Sequence, residues 1–269
     1  MGNLLVVANW LLPPLYLVLL TDYGAAFLLR TPRKGENLFL PAVLAVHVAF
    51  LLMLGAYVRR PIAINNYEVL SLIAASTTAV YSLVEFASGE RRTGVFVLLA
   101  AFLMQYTASV FMPVSFLRAD AAVHGAPAIH IIPSIVAYTA LTISAIYGLL
   151  HLAARRALRR HRFGLLFDRL PSLEVLGTMN WHAMLVGLGF MTLAMVSGAV
   201  MYAALPDGQG AMEAKVWTKV LAGSVAWLLY AVAAGGKWIG RWSAARVSLV
   251  TVAGFVIVAA MLVASIVLS

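Results

Sequence analysis

Eight stretches of mostly apolar sequence divide this chain, and each is long enough to cross a lipid bilayer. A transmembrane helix needs about 20 such residues. The spans read as Asn3–Leu20, Leu38–Val58, Tyr67–Ala87, Gly94–Met112, Pro127–Ala153, Leu173–Ala204, Val216–Ala234 and Ser248–Leu268. Because lipid cannot hydrogen-bond a peptide group, such segments must be helical or part of a closed barrel. Lengths of 18 and more favour helices. The 269 residues are 63% hydrophobic and only 11% charged, which a soluble domain does not approach. The expected architecture is an all-α, polytopic bundle forming a single transmembrane domain over residues 1–269. Pro13 and Pro14 interrupt the first span, so that helix should kink or end early. The first span has no basic leader and no A-x-A cleavage site, so it reads as a retained helix.

Charge assigns the sides. Arg30, Arg33, Lys34, Arg91, Arg92, the six arginines between Arg155 and Arg169, Lys237, Arg241 and Arg246 fall in or beside the odd-numbered loops. They make up 14 of the 19 basic residues. Basic residues concentrate on the cytoplasmic side, so both termini should face outward. The net charge of +9 is read as topology, not as a nucleic-acid surface. The most basic run, Ala154–Leu170, suits anionic lipid. The absence of cysteine removes disulfides, thiolate metal sites, covalent c-type haem attachment and thiol catalysis by this chain.

Histidine is the chemically informative residue. His47, His130 and His182 lie within or at the mouth of spans, where an imidazole is costly and marks a functional hypothesis. His47 and His182 each lie about nine residues in from a cytoplasmic end, or roughly 14 Å deep. Two imidazoles at one depth on different helices are what axial haem ligation requires. A lone intramembrane histidine also often just bonds a neighbouring helix. His130 opens the fifth span on the outer side. His124 reads as a loop residue, and His151 and His161 as solvated residues at the cytoplasmic edge. Glu85 should pair with Arg91 or Arg92, and Asp22 lies near Arg30. The small residues of Gly187–Ala203 suit close helix packing and the flat face of a macrocycle alike.

Three segments carry a resemblance: Ile129–Ala153, Leu170–Tyr202 and Lys219–Ala231. They resemble the cytochrome c assembly (CcsA/ResC/HemX-like) membrane family, most of all its short HemX/YpjD-type members. The family's H-x-x-x-S-x-x-x-Y-A helix is similar to His130, Ser134, Tyr138 and Ala140, with one residue before the alanine. Its G-F-x-x-L-T…S-G pattern is met by Gly189, Phe190, Met191-Thr192 and Ser197-Gly198. Val46–Met53 and Asn65–Ala74 resemble its second and third spans. The family's tryptophan-rich D-P-K-E motif is reduced here to Trp217, Lys219 and Trp227. Its histidine after span seven is replaced by AAGGKWIGRW (Ala233–Trp242).

The resemblance implies a haem-handling protein of the bacterial cytoplasmic (inner) membrane. Haem b would be held with His47 and His182 as axial ligands, and His130 would contribute to an outer site. Such a protein is not expected to act as an enzyme on its own: attachment to apocytochrome would be done by a partner or not at all. Its partners would be haem, lipid and other integral membrane proteins, with no nucleic acid. The alternative is a cofactor-free regulator or scaffold for a transporter or haem-biosynthesis enzyme. A transporter is a weaker third reading, because no inverted repeat or paired intramembrane charge stands out. The loop asymmetry predicts that reporters fused to either terminus are active outside the cell. Fluorescence of a cytoplasm-dependent reporter at either end contradicts the orientation.

Overall fold

The computed structural model describes residues 2–29, 38–58, 65–89, 91–112, 128–161, 164–203 and 214–267. Among the described residues all regular structure is helical: α1 Gly2–Leu29, α2 Phe39–Val58, α3 Asn66–Ser88, α4 Gly94–Phe111, α5 Ala128–Arg159, α6 Leu165–Arg169, α7 Leu173–Ala203, α8 Ala214–Trp238 and α9 Ala244–Val267. Seven of these are long and apolar enough to cross a membrane, and α9 contains a shorter apolar stretch, Ala244–Ala260. The protein is a polytopic helical membrane bundle. Every expected span coincides with one long helix.

Packing groups the helices into two compact units, Met1–Pro127 and Ala128–Ser269. In the first unit α1 packs on α2 and α4, and α3 on α2 and α4. Leu5, Leu12, Phe50, Leu51, Leu54, Val58 and Ala75 form its apolar core. Local chemistry fixes the ends of α3. The Asn65 side chain accepts from the Tyr67 N–H at 2.9 Å, and Glu68 completes a capping box. Gly89 closes the helix in a left-handed conformation (φ 66°), its N–H bonded to the Glu85 carbonyl at 2.8 Å.

The first helix is longer than expected. It stays helical past Pro13 and Pro14 to Leu29 instead of ending near Leu20. Pro13 has no N–H for the carbonyl of Asn9, four residues earlier. The Ser109 hydroxyl of α4 donates to that carbonyl instead, at 2.9 Å. The exchange is mutual. Ser109 lies in the last turn of α4, and the residue four positions on, at 113, is also a proline. The Ser109 carbonyl accepts from Asn9 Nδ2 at 3.0 Å. One carbonyl left open by Pro13 and one at the end of α4 are thus each satisfied by the other residue's side chain, as membrane helices require.

In the second unit α5 and α7 form the most extensive helix pair, with α9 against α5, α7 and α8. Glycines of α7 set its register. Gly198 lies beneath the His130 ring, Gly187 beneath Leu141, and Gly177 beside His151. As the α5 number rises the α7 number falls, so the helices run antiparallel. The spacings of ten and eleven residues equal three helical turns, which brings each glycine back to the same face. A Cβ on Gly187 would lie 2.5 Å from Leu141 Cδ2 and 2.8 Å from its Cγ. Gly187 therefore accommodates a neighbouring helix. A Gly187→Ala substitution should cost about 1–3 kcal/mol through overpacking. A methyl group on Gly189 would meet nothing within 4 Å, so Gly189→Ala should be neutral or slightly stabilising. Detergent unfolding of both variants checks this, and an equal loss in the two contradicts the register.

Candidate functional site

His47 sits at the middle of α2 and is fully buried. Its Nδ1 lies 2.9 Å from the Tyr16 hydroxyl of α1, and its Nε2 lies 3.0 Å from the Ser71 hydroxyl of α3. Ser71 donates its single proton to Gln105 Oε1 at 2.8 Å. The Ser71 oxygen is then the acceptor from His47, so Nε2 carries the imidazole hydrogen. Nδ1 holds the lone pair and accepts from Tyr16. This tautomer is assigned from the hydrogen-bond network. Tyr16 also lies 3.0 Å from Thr78 Oγ1, whose own proton goes to the Ala74 carbonyl at 2.8 Å, so the Tyr16 proton is shared between His47 and Thr78. Gln105 Nε2 donates to Ser109 Oγ at 2.9 Å and joins the network to the proline exchange described above. One buried polar chain thus links α1, α2, α3 and α4. Nearer the other end of α1, Tyr23 donates to Glu85 Oε2 at 2.6 Å, and Arg91 meets Glu85 Oε1 at 2.9 Å. The expected Glu85–Arg91 pair is present.

His130 is held differently. It lies in the first turn of α5 and is half-buried. Its Nδ1 lies 2.9 Å from the Ala194 carbonyl and 3.4 Å from the Ser197 hydroxyl, both on α7. A carbonyl accepts only, so Nδ1 carries the hydrogen and Nε2 keeps the lone pair. Gly198 lies against the Cε1 and Nδ1 side of the ring, at 3.2 and 3.3 Å from a Cβ position. That edge of the imidazole is seated in the α7 notch. Among the described residues Nε2 makes no hydrogen bond. Ser197, one of the small residues of the Gly187–Ala203 stretch, thus serves His130.

His182 lies on α7, is exposed, and makes no hydrogen bond among the described residues. His47 belongs to the first unit and His182 to the second. His151 departs from expectation. Its arginine neighbours in sequence suggest a solvated residue, yet it is only 5% exposed. Its Nδ1 lies 3.1 Å from Ser248 Oγ of α9, and its Nε2 side faces Gly177. The cause is the length of α5, which carries His151 along the α7–α9 packing face before the arginines begin. His161 is exposed, past the end of α5, as expected. His124, Arg30 and Arg118 lie outside the described residues.

Sequence reasoning missed the polar hubs. Asn180 accepts from Ser144 at 2.7 Å and from Thr251 at 3.1 Å, and donates to Ser248 at 3.0 Å. It joins α5, α7 and α9. Gln105 plays the corresponding part in the first unit. An amide inside an apolar run, such as Asn180 in TMNWHAML or Gln105 in LMQYT, was the available signal. Among the described residues no three histidine or acidic side chains converge as a metal centre.

The bundle and its histidines define a polytopic helical membrane protein with imidazoles built into helix packing. The chain belongs to the cytochrome c assembly protein family, whose model matches residues 38–267. That membership places it among membrane proteins of cytochrome c biogenesis, a process that handles haem. No curated protein and no solved structure matches it significantly. Replacing Asn180 by alanine removes the acceptor of Ser144 and leaves Ser248 with His151 and Thr251 with the Ser248 carbonyl. The expected loss is about 1–2 kcal/mol in detergent unfolding, and an unchanged unfolding midpoint contradicts the hub.

Proposed function

We propose that this protein handles haem during cytochrome c assembly, with Nε2 of His130 as an axial ligand. One observation carries the reading: Nδ1 is fixed on the Ala194 carbonyl at 2.9 Å while the opposite nitrogen keeps its lone pair. Metal-bound histidines are oriented in this way, by a bond from the other ring nitrogen to a carbonyl or carboxylate. The surroundings suit a porphyrin. Ile129 and Ile132 of α5, and Val196 and Val200 of α7, are exposed apolar side chains on the same stretch of the two helices. Without cysteine the chain can hold haem only by coordination and packing, as haem b. The iron would supply redox chemistry; the protein's part is to seat one imidazole, fix its tautomer and offer an apolar face.

By the charge rule His130 lies at the outer end of α5, in a bacterial cytoplasmic membrane, where a partner membrane protein can take haem onward. The pairing of His47 with His182 across one haem b is a second reading. Its support is depth: His47 lies eight residues past the start of α2 and His182 nine past the start of α7. It requires His47 to give up one of its two hydrogen bonds.

Absorption spectra of the purified protein titrated with haem test the proposal. The wild type should show a sharp reduced Soret band and split α/β bands. His130→Ala should lose the low-spin spectrum, and added imidazole should restore it. A featureless visible spectrum of the haem-titrated wild type favours the cofactor-free scaffold.

A further inference from the structure

The family match begins at residue 38, so α1 lies outside it, yet α1 supplies the hydroxyl that occupies His47. We infer that α1 is a sealing helix: its Tyr16 takes the one lone pair of His47, making that histidine the tie of the first unit and not an axial ligand. The inference rests on the haem reading above only for its second half.

The geometry supports the seal at each end. The imidazole has two nitrogens and both are spent inside the unit, one toward α1 and one toward α3. The ring has no exposed surface, and Tyr16, Ser71, Thr78 and Gln105 around it have none either. The Tyr16 ring meets His47 edge-on with centroids 5.6 Å apart, and Phe50 covers it at 6.4 Å. Iron at Nδ1 displaces Tyr16. Iron at Nε2 displaces Ser71 and moves the imidazole hydrogen to the Tyr16 side. Either change leaves hydroxyls in an apolar interior without their partners, a cost with no water to offset it. The attachment of α1 does not depend on His47 alone. The reciprocal Asn9–Ser109 bonds fix its outer half and the Tyr23–Glu85 bond its inner half. Tyr16 lies between these anchors, so its hydroxyl is positioned by three helices at once. By contrast, His130 has its lone pair free among the described residues. The two histidines therefore divide the roles: one holds helices together and one is offered to a ligand.

A double-substitution cycle on Tyr16→Phe and His47→Gln tests this in the full-length protein, with thermal unfolding in detergent and the haem-titrated spectrum as readouts. Each single substitution should lower the unfolding midpoint by about 2 °C or more. The double variant should lose clearly less than the two losses combined, because both remove the same bond. The reduced band positions should stay those of the wild type in both singles. Additive losses overturn the tie. A low-spin spectrum that vanishes in His47→Gln and returns with added imidazole overturns the exclusion of His47 from iron. Should His47→Gln fail to fold, His47→Asn takes its place in the cycle with the same two readouts. If the wild type takes up no haem, the haem proposal fails by itself and the coupling of the midpoints still decides whether α1 seals His47.

Discussion

Within an apolar bundle a polar side chain has no water to turn to, and it finds its partner in its own backbone or in another helix. The first unit is organised around that demand. A chain of hydroxyl, imidazole and amide groups runs from Thr78 through Tyr16, His47, Ser71 and Gln105 to Ser109 and Asn9. It touches every described helix of the unit. Dispersion packing alone sets no unique register between helices lined with leucine, valine and alanine. The polar chain does, because a shift of one residue would leave several buried groups unmatched. The second unit uses the same device with Asn180 at its centre and adds glycine notches that bring α5 and α7 into close contact.

This constraint changes how an intramembrane histidine is read. Its cost in lipid marks it as important, but the cost can be met in two ways. At His47 both nitrogens are satisfied by hydroxyls from neighbouring helices. At His130 one nitrogen is satisfied by a backbone carbonyl, and the other makes no hydrogen bond among the described residues. The distinction lies in the partners and not in burial or depth. Membership of the cytochrome c assembly family gives the available imidazole a chemically sensible ligand. The three-turn glycine spacing of α7 explains why His130 is seated so firmly: Gly198 lets the ring approach the helix, and the Ala194 carbonyl then lies in reach.

Much of the fold was legible because hydropathy and helix length are read directly from sequence. The expected Leu38–Val58, Gly94–Met112 and Leu173–Ala204 match their helices to within one residue at each end. Glu85 and Arg91 paired as their spacing suggested. What sequence did not show was three-dimensional partnership. Pro13 argued for a kink or an early end to α1, and the Ser109 hydroxyl, a hundred residues from Asn9, takes the carbonyl that the proline leaves unpaired. His151 stood among arginines and looked solvated, yet Ser248 of α9 takes it into the packing. Equal depth suggested that His47 belongs to an iron, and depth does not reveal the Tyr16 and Ser71 hydroxyls that meet its two nitrogens. Asn180 and Gln105 were visible as amides in apolar runs, but their role as hubs depends on residues from helices far away in sequence.

The central claim is that Nε2 of His130 is the nitrogen presented to iron. Electron paramagnetic resonance of the ferric, haem-loaded protein tests it most directly when His130→Gly is complemented with ¹⁵N-labelled imidazole. The account predicts that the label's hyperfine coupling appears in a low-spin ferric signal like that of the wild type. A low-spin signal that persists in His130→Gly without imidazole, and acquires no ¹⁵N coupling when it is added, contradicts the claim.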